Sequence, residues 1–312
     1  MTKNNRYIGA HEGRHGPLVI VMGGMHGNEL AGVKALELLF KMLKKEPLIN
    51  PDFEFMGRII GLYGNMAAID AQKRFINVDL NRQWTRSNIE QAMIKSSDTL
   101  QAEEKELLEI YQTIKAEIKA YKPSKIILLD LHTTSAEDGI FSIPTGTDES
   151  YELAKGLYAP VISNLTQTLN GTFMQFFDVE NLGIPTVTVT FESGQHNDPL
   201  SVNRSVAAIV NCLRFEGLVK PEDVESRHDD ILKAYTEHLP KLAKLAYKHD
   251  FDPSDKFKMH PGFRNFSPIK EGEYLADDSN GKILSPLTGY ILMPLYQVQG
   301  SEGFFIITEQ LS

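Results

Sequence analysis

Three apolar runs of this chain end in side chains that bind metals or move protons. "VIVMGG", starting at Val19, leads into His26 and Glu29, "KIILLDLH" ends at His132, and "TVTVTFE" ends at Glu192. Two imidazoles and one carboxylate form the ligand set of an open catalytic zinc site, whose fourth position stays free for water. His26, Glu29 and His132 supply that set, which leaves Glu192 as general base on the metal-activated water. A lone H-x-x-E is common; here it stands with a second histidine and a second glutamate, each at the end of another buried run. Asp130 precedes His132 by two residues, so in a strand it shares that face and can orient the imidazole. A closed structural site would want four ligands, usually thiolates, and Cys212 is the only cysteine.

The stretch "RFINVDLNRQW" adds Arg74, Asn81 and Arg82. An amide hydrolase needs a cation to polarise the carbonyl and hold the oxyanion. A substrate carboxylate needs a planar, bidentate donor. Two arginines and an asparagine meet both needs, and the residues alone leave open which arginine does which. Asp79, on the same stretch, is expected to hold one of them.

The elements that must position these groups read as follows. Pro17 to Met22 is a buried strand, and Glu29 to Lys45 carries apolar residues at helical spacing. Phe53 to Tyr63 is a second strand, and Gly64 to Arg86 an irregular loop of the length that often serves function. Ile89 to Tyr121 is helical, with a break near Ser96–Asp98. Lys125 to Leu131 is a strand, Glu149 to Leu169 a helix interrupted before Pro160, Thr172 to Val179 and Pro185 to Phe191 strands, and Leu200 to Phe215 a helix. This alternation predicts an α/β domain over residues 1–220 with a largely parallel sheet. The three motifs then share one rim, because open α/β sheets bind ligands at the carboxyl ends of their strands. Residues 221–312 read as a charged helical connector, Glu222 to His249, and a small all-β part from about Met259.

Composition narrows the function. The 312 residues are 42% hydrophobic and carry a formal charge of −9. With no basic run to offset it, that charge disfavours nucleic acid. The longest apolar runs are too short to span a bilayer. "MTKNNRYIGAHEGRHG" has no apolar core of a signal peptide, and a single cysteine suits a reducing compartment; a cytoplasmic location is expected. Cys212 lies in an apolar helical pattern and is expected to be a buried core thiol. The glycines of "MGGMHG" lack the G-x-G-x-x-G spacing of a dinucleotide site, and neither a phosphate-binding G-x-x-x-x-G-K-[ST] nor a G-x-S-x-G nucleophile elbow occurs.

Four stretches in this order, "GGMHGNE", "RFINVDLNR", "LDLHT" and "FESGQ", resemble the succinylglutamate desuccinylase/aspartoacylase family, relatives of the zinc carboxypeptidases. The resemblance covers about the first 220 residues, and more loosely the β part. It implies a zinc carboxypeptidase-like fold, with a mixed central sheet flanked by helices and a small all-β C-terminal domain. It implies one Zn²⁺ per chain on His26, Glu29 and His132, and Glu192 as the base that passes a proton to the leaving amine. It further implies Arg74 on the scissile carbonyl, and Asn81 with Arg82 on the substrate α-carboxylate. The implied reaction is hydrolysis of a small-molecule N-acyl amino acid, with a carboxypeptidase acting on small peptides and a non-catalytic metal-binding protein as alternatives. Homo-oligomerisation is left open.

Two departures stand out. Gly156 to Asn203 contains no Lys or Arg, whereas aspartoacylases carry an arginine shortly before the catalytic glutamate for the substrate's side-chain carboxylate. Where the family places a late tyrosine, Phe304 or Phe305 stands, with Tyr290 and Tyr296 as alternatives. N-acetylaspartate is therefore disfavoured, and a less polar pocket is expected.

Overall fold

The computed structural model describes residues 6–224 and 227–310. Its strands are β1 (Tyr7–Glu12), β2 (Arg14–Gly23), β3 (Met56–Tyr63), β4 (Ile126–Thr134), β5 (Phe141–Pro144), β6 (Val161–Ser163) and β7 (Thr186–Gln195). They continue with β8 (Leu242–Asp250), β9 (Lys258–Met259), β10 (Ser267–Ile269), β11 (Tyr274–Asp278), β12 (Gly281–Leu284), β13 (Gly289–Leu292) and β14 (Glu302–Glu309). Eleven of them form one sheet in the order β1-β3-β2-β4-β7-β5-β6-β8-β14-β13-β10, and β12-β11-β9 form a small antiparallel sheet.

The centre of the large sheet, β3-β2-β4-β7, is parallel. Its strands read as unbroken apolar runs because both faces are covered. Val19 and Val21 enter a core cluster with the helices Ala31–Ile49 and Leu200–Phe215, while Leu18, Ile20 and Met22 enter the cluster on the opposite face, against the helix Ala102–Tyr121. Cys212 is fully buried in the first cluster.

The largely parallel expectation is corrected by the flanks. β1, β5, β14, β13 and β10 each pair antiparallel with a neighbour, so the sheet is mixed. The C-terminal strands β8, β14, β13 and β10 continue this sheet by way of β6, and only β9, β11 and β12 stand apart.

Three local expectations also fail, each for a physical reason. The helix expected to Leu169 stops at Gly156. Tyr158 turns left-handed, Pro160 has no N–H to continue a helix, and β6 follows. Thr172 to Val179 is a capped helical turn, not a strand. Thr172 and Gln175 close a capping box, and Phe173, Phe176 and Phe177 pack around Trp84, so tertiary packing overrides strand propensity. Among the described residues the charged connector has a 3₁₀ turn at Pro221–Asp223 and one α-helix, Arg227–Thr236; beyond Pro240 the chain becomes β8.

The loop between Gly64 and Arg86 is held from below. It contains a short helix, Met66–Ala71, and one 3₁₀ turn, Leu80–Arg82. Glu103, fully buried at the start of the helix Ala102–Tyr121, accepts from the backbone N–H of Ile76 (2.7 Å) and Asn77 (3.0 Å) and from the Asn65 amide (3.1 Å). A carboxylate thus replaces the hydrogen bonds that an irregular segment lacks.

The segment after β2 lies equally close to its neighbours. Gly24 has φ +75°, and a Cβ at Gly27 would sit 2.1 Å from the carbonyl carbon of Ala68. Backbone cannot yield there as a side-chain tip can. Gly27→Ala is expected to lower Tm by about 3–8 °C. An unchanged melting curve would show that the contact relaxes freely.

Candidate active site

His26 and Glu29 sit on the turn that leaves β2, His132 lies near the end of β4, and Glu192 lies opposite His132 in the β4–β7 register. Topology therefore brings together groups more than a hundred residues apart. Potential ligand atoms of His26, Glu29 and His132 all lie within 4.8 Å of one another, and all three residues are buried. Glu29 stands between the rings: Oε1 lies 2.8 Å from His26 Nδ1 and Oε2 lies 3.0 Å from His132 Nδ1. The Thr133 N–H also donates to Oε2, at 3.1 Å.

The far nitrogen of each ring meets another carboxylate. His132 Nε2 is 2.8 Å from Asp130 Oδ2, and His26 Nε2 is 3.1 Å from Asp79 Oδ1. Ring protons donated to Asp130 and Asp79 would leave both Nδ1 lone pairs to a bound cation. This pattern fixes the tautomer and ring orientation of metal-binding histidines. Asp79 serves twice, since its Oδ2 accepts from Arg74 Nε (3.1 Å) and Nη2 (2.9 Å). It is the arginine-holding residue expected from the sequence, and the arginine is Arg74.

Charge is dense and poorly solvated. Burial pushes Glu29 up, but His26 and His132 outweigh it and hold the carboxyl well below the usual range. Burial likewise opposes ionisation of Asp79, and Arg74 and His26 overcome it. Burial lowers His132, yet Asp130 and Glu29 drive it well above an ordinary imidazole. Glu192 behaves differently: burial raises it to about 7, with Glu29 adding to the rise and His132 opposing it. Its Oε2 is buried without a hydrogen-bond partner among the described residues, as is Asp130 Oδ1. The donor set, the fixed tautomers and these unpaired oxygens fit a divalent cation.

Arg74, Asn81 and Arg82 line the same cavity, of about 120 Å³, as His26, Glu29, His132 and Glu192. Asn81 Oδ1 accepts from the Phe173 N–H at 2.9 Å, so its amide donors are left for the cavity. Arg82 donates through Nε (3.1 Å) and Nη2 (2.8 Å) to Glu302 of β14. Phe305 lines the cavity, whereas Phe304 stacks on His249 and Tyr290 packs in the core around Phe141. The Tyr296 hydroxyl donates to the His260 carbonyl.

Several contributors were not singled out from the sequence. Glu302 is one. His196 is another: its Nδ1 lies 2.7 Å from Thr133 Oγ1 and its Nε2 3.3 Å from Gln297 Oε1. Its place four residues after Glu192 was the available signal. Gln297 and Gln299 tie the segment before β14 to Asn28 and to the Arg74 backbone; no spacing in the sequence announces such long-range contacts.

A profile of the succinylglutamate desuccinylase/aspartoacylase catalytic domain matches residues 15–215. The chain belongs to this family. A probable aspartoacylase of Nostoc sp. is 25% identical over 288 residues, covering 86% of each chain. A succinylglutamate desuccinylase of Pseudomonas putida is 25% identical over 272 residues, covering 83% of this chain and 72% of its own. The crystal structure of a succinylglutamate desuccinylase/aspartoacylase from Rhodobacter sphaeroides superposes with a TM-score of 0.67 at 17% identity, over 97% of this chain and 88% of that one. The family is one of hydrolases that remove acyl groups from amides. No described helix is long and apolar enough to cross a membrane.

The carboxylates behind the rings generate a prediction. Asp130→Asn and Asp79→Asn are each expected to weaken zinc affinity about 10–100-fold, measured by chelator competition. Unchanged affinity in both variants would mean that the imidazoles are oriented by packing alone.

Proposed function

We propose that this protein is a zinc-dependent deacylase that hydrolyses the amide bond of small N-acyl amino acids. Residues 1–220 would form the catalytic unit, and the remainder would close its cavity. The observation that carries this reading is the convergence of His26, Glu29 and His132 beside Glu192, a buried carboxylate that lines the same cavity and has one oxygen without a hydrogen-bond partner among the described residues.

His26, Glu29 and His132 would hold the ion. When bound, Zn²⁺ supplies Lewis acidity, which acidifies water and polarises a carbonyl oxygen. Glu192 takes a proton from the attacking water and gives it to the amide nitrogen as the C–N bond breaks, so one carboxylate serves as base and then acid. Burial raises its proton affinity, which favours holding the proton between the two steps. Arg74 donates to the carbonyl oxygen as negative charge develops there. Its guanidinium is locked by Asp79 and needs no reorganisation. Arg82 and the Asn81 amide receive the α-carboxylate of the amino acid. The products are the free carboxylic acid and the amino acid.

The carboxypeptidase alternative is disfavoured by the cavity wall. Met293, Leu295, Gln297, Gly300, Glu302 and Phe305 border the cavity, and Gln299 bonds the segment across to Arg74 and Phe75. A wall this close to the candidate metal ligands favours a small N-acyl amino acid over a longer peptide. A metal-binding protein without catalysis leaves the unpaired Glu192 without a purpose. The net charge of −9 and a concave site also fit a small-molecule partner better than nucleic acid.

Chelation should abolish turnover of N-acyl amino acids, and zinc should restore it. Glu192→Gln is expected to keep one zinc per chain and lose about 10²–10⁴-fold in kcat, with KM little changed. A variant that turns over at the parent rate would remove Glu192 from the mechanism.

A further inference from the structure

The cavity contains two guanidinium groups, and both are already engaged by carboxylates of the chain. Arg74 is bonded to Asp79 and approaches Glu29 (3.4 Å); Arg82 is bonded to Glu302. Among the described residues no lysine and no third arginine lines the cavity. Lys248, behind the wall, is held by the Thr168 carbonyl (2.9 Å) and Asp250. The wall itself is built from Leu165, Leu169, Met174, Met293, Leu295 and Phe305, interspersed with threonine hydroxyls. Phe305 offers a ring edge and no hydroxyl.

We infer that this site takes substrates bearing a single carboxylate, the α-carboxylate, with an uncharged and largely apolar acyl group and side chain. The inference rests on the deacylase reading above and narrows it. One carboxylate can be shared between Arg82 and Asn81. A second, on the acyl chain or the side chain, would be desolvated against leucine, methionine and phenylalanine with no cation to meet it, and an unpaired buried charge is strongly disfavoured. Glu192 and Glu302 line the same space and add like-charge repulsion. An aliphatic group instead replaces water along the wall at little cost. The substrates named for the relatives, aspartate and glutamate derivatives with two or three carboxylates, are therefore poor fits.

The test is a comparison of kcat/KM for the zinc-loaded protein on N-acetyl-L-leucine, N-acetyl-L-methionine, N-acetyl-L-aspartate and N-succinyl-L-glutamate. The first two are expected to exceed the last two by about 100-fold or more, the range set by an unpaired buried charge. The same order is expected in calorimetric binding to the zinc-loaded Glu192→Gln variant, where turnover plays no part. Equal or better use of either N-acetyl-L-aspartate or N-succinyl-L-glutamate would overturn this inference and leave the deacylase reading standing. Turnover of none of the four would overturn the deacylase reading and this inference with it.

Discussion

The site depends on an excess of buried carboxylate. Glu29, Asp79, Asp130 and Glu192 crowd a region where, among the described residues, Arg74 is the one guanidinium in contact with the group. Such a cluster is costly unless positive charge enters it. Asp130 and Glu29 drive His132 well above an ordinary imidazole, despite burial. A divalent ion meets the same electrostatic demand with two charges and no proton. Metal affinity is then coupled to proton release from the imidazole, and the fold is built to keep the ligands in place while it happens.

That scaffold is the parallel centre of the sheet. Adjacent strands β2, β4 and β7 end on one rim and deliver His26, His132 and Glu192 within reach of each other. Asp130 shares the His132 face because strand side chains alternate, and the contact at 2.8 Å follows from that register. The other half of the site has no such regularity. Arg74, Asp79, Asn81 and Arg82 sit on a segment with little secondary structure, and Glu103 anchors it through three backbone amides.

Much of this was legible in the sequence. Buried strands announce themselves as apolar runs, and a polar residue at the end of such a run is conspicuous. His26, Glu29, His132 and Glu192 were found that way, as was the Asp130–His132 pairing. Periodicity failed where packing decides conformation. Phe173 and Phe176 suggest a strand, but their rings fill the space around Trp84 from a capped turn. β8 was hidden in a charged stretch whose alternation is blurred by a register irregularity against β14. Glu302, Gln297 and Gln299 were invisible because their partners lie more than two hundred residues away. His132 and Glu192 lie on regular strands and His26 and Glu29 on the turn that leaves one, whereas Met293, Leu295, Glu302 and Phe305 of the cavity wall come from late segments.

The central claim is that His26, Glu29 and His132 hold one zinc ion through two imidazoles and a carboxylate. X-ray absorption at the zinc edge of the purified, zinc-loaded chain tests it most directly, together with metal analysis. One zinc per chain is expected, with a shell of nitrogen and oxygen that holds two imidazoles and no sulfur, and one imidazole fewer in His132→Ala. A chain without stoichiometric zinc, or a zinc whose shell is unchanged by His132→Ala, would contradict it.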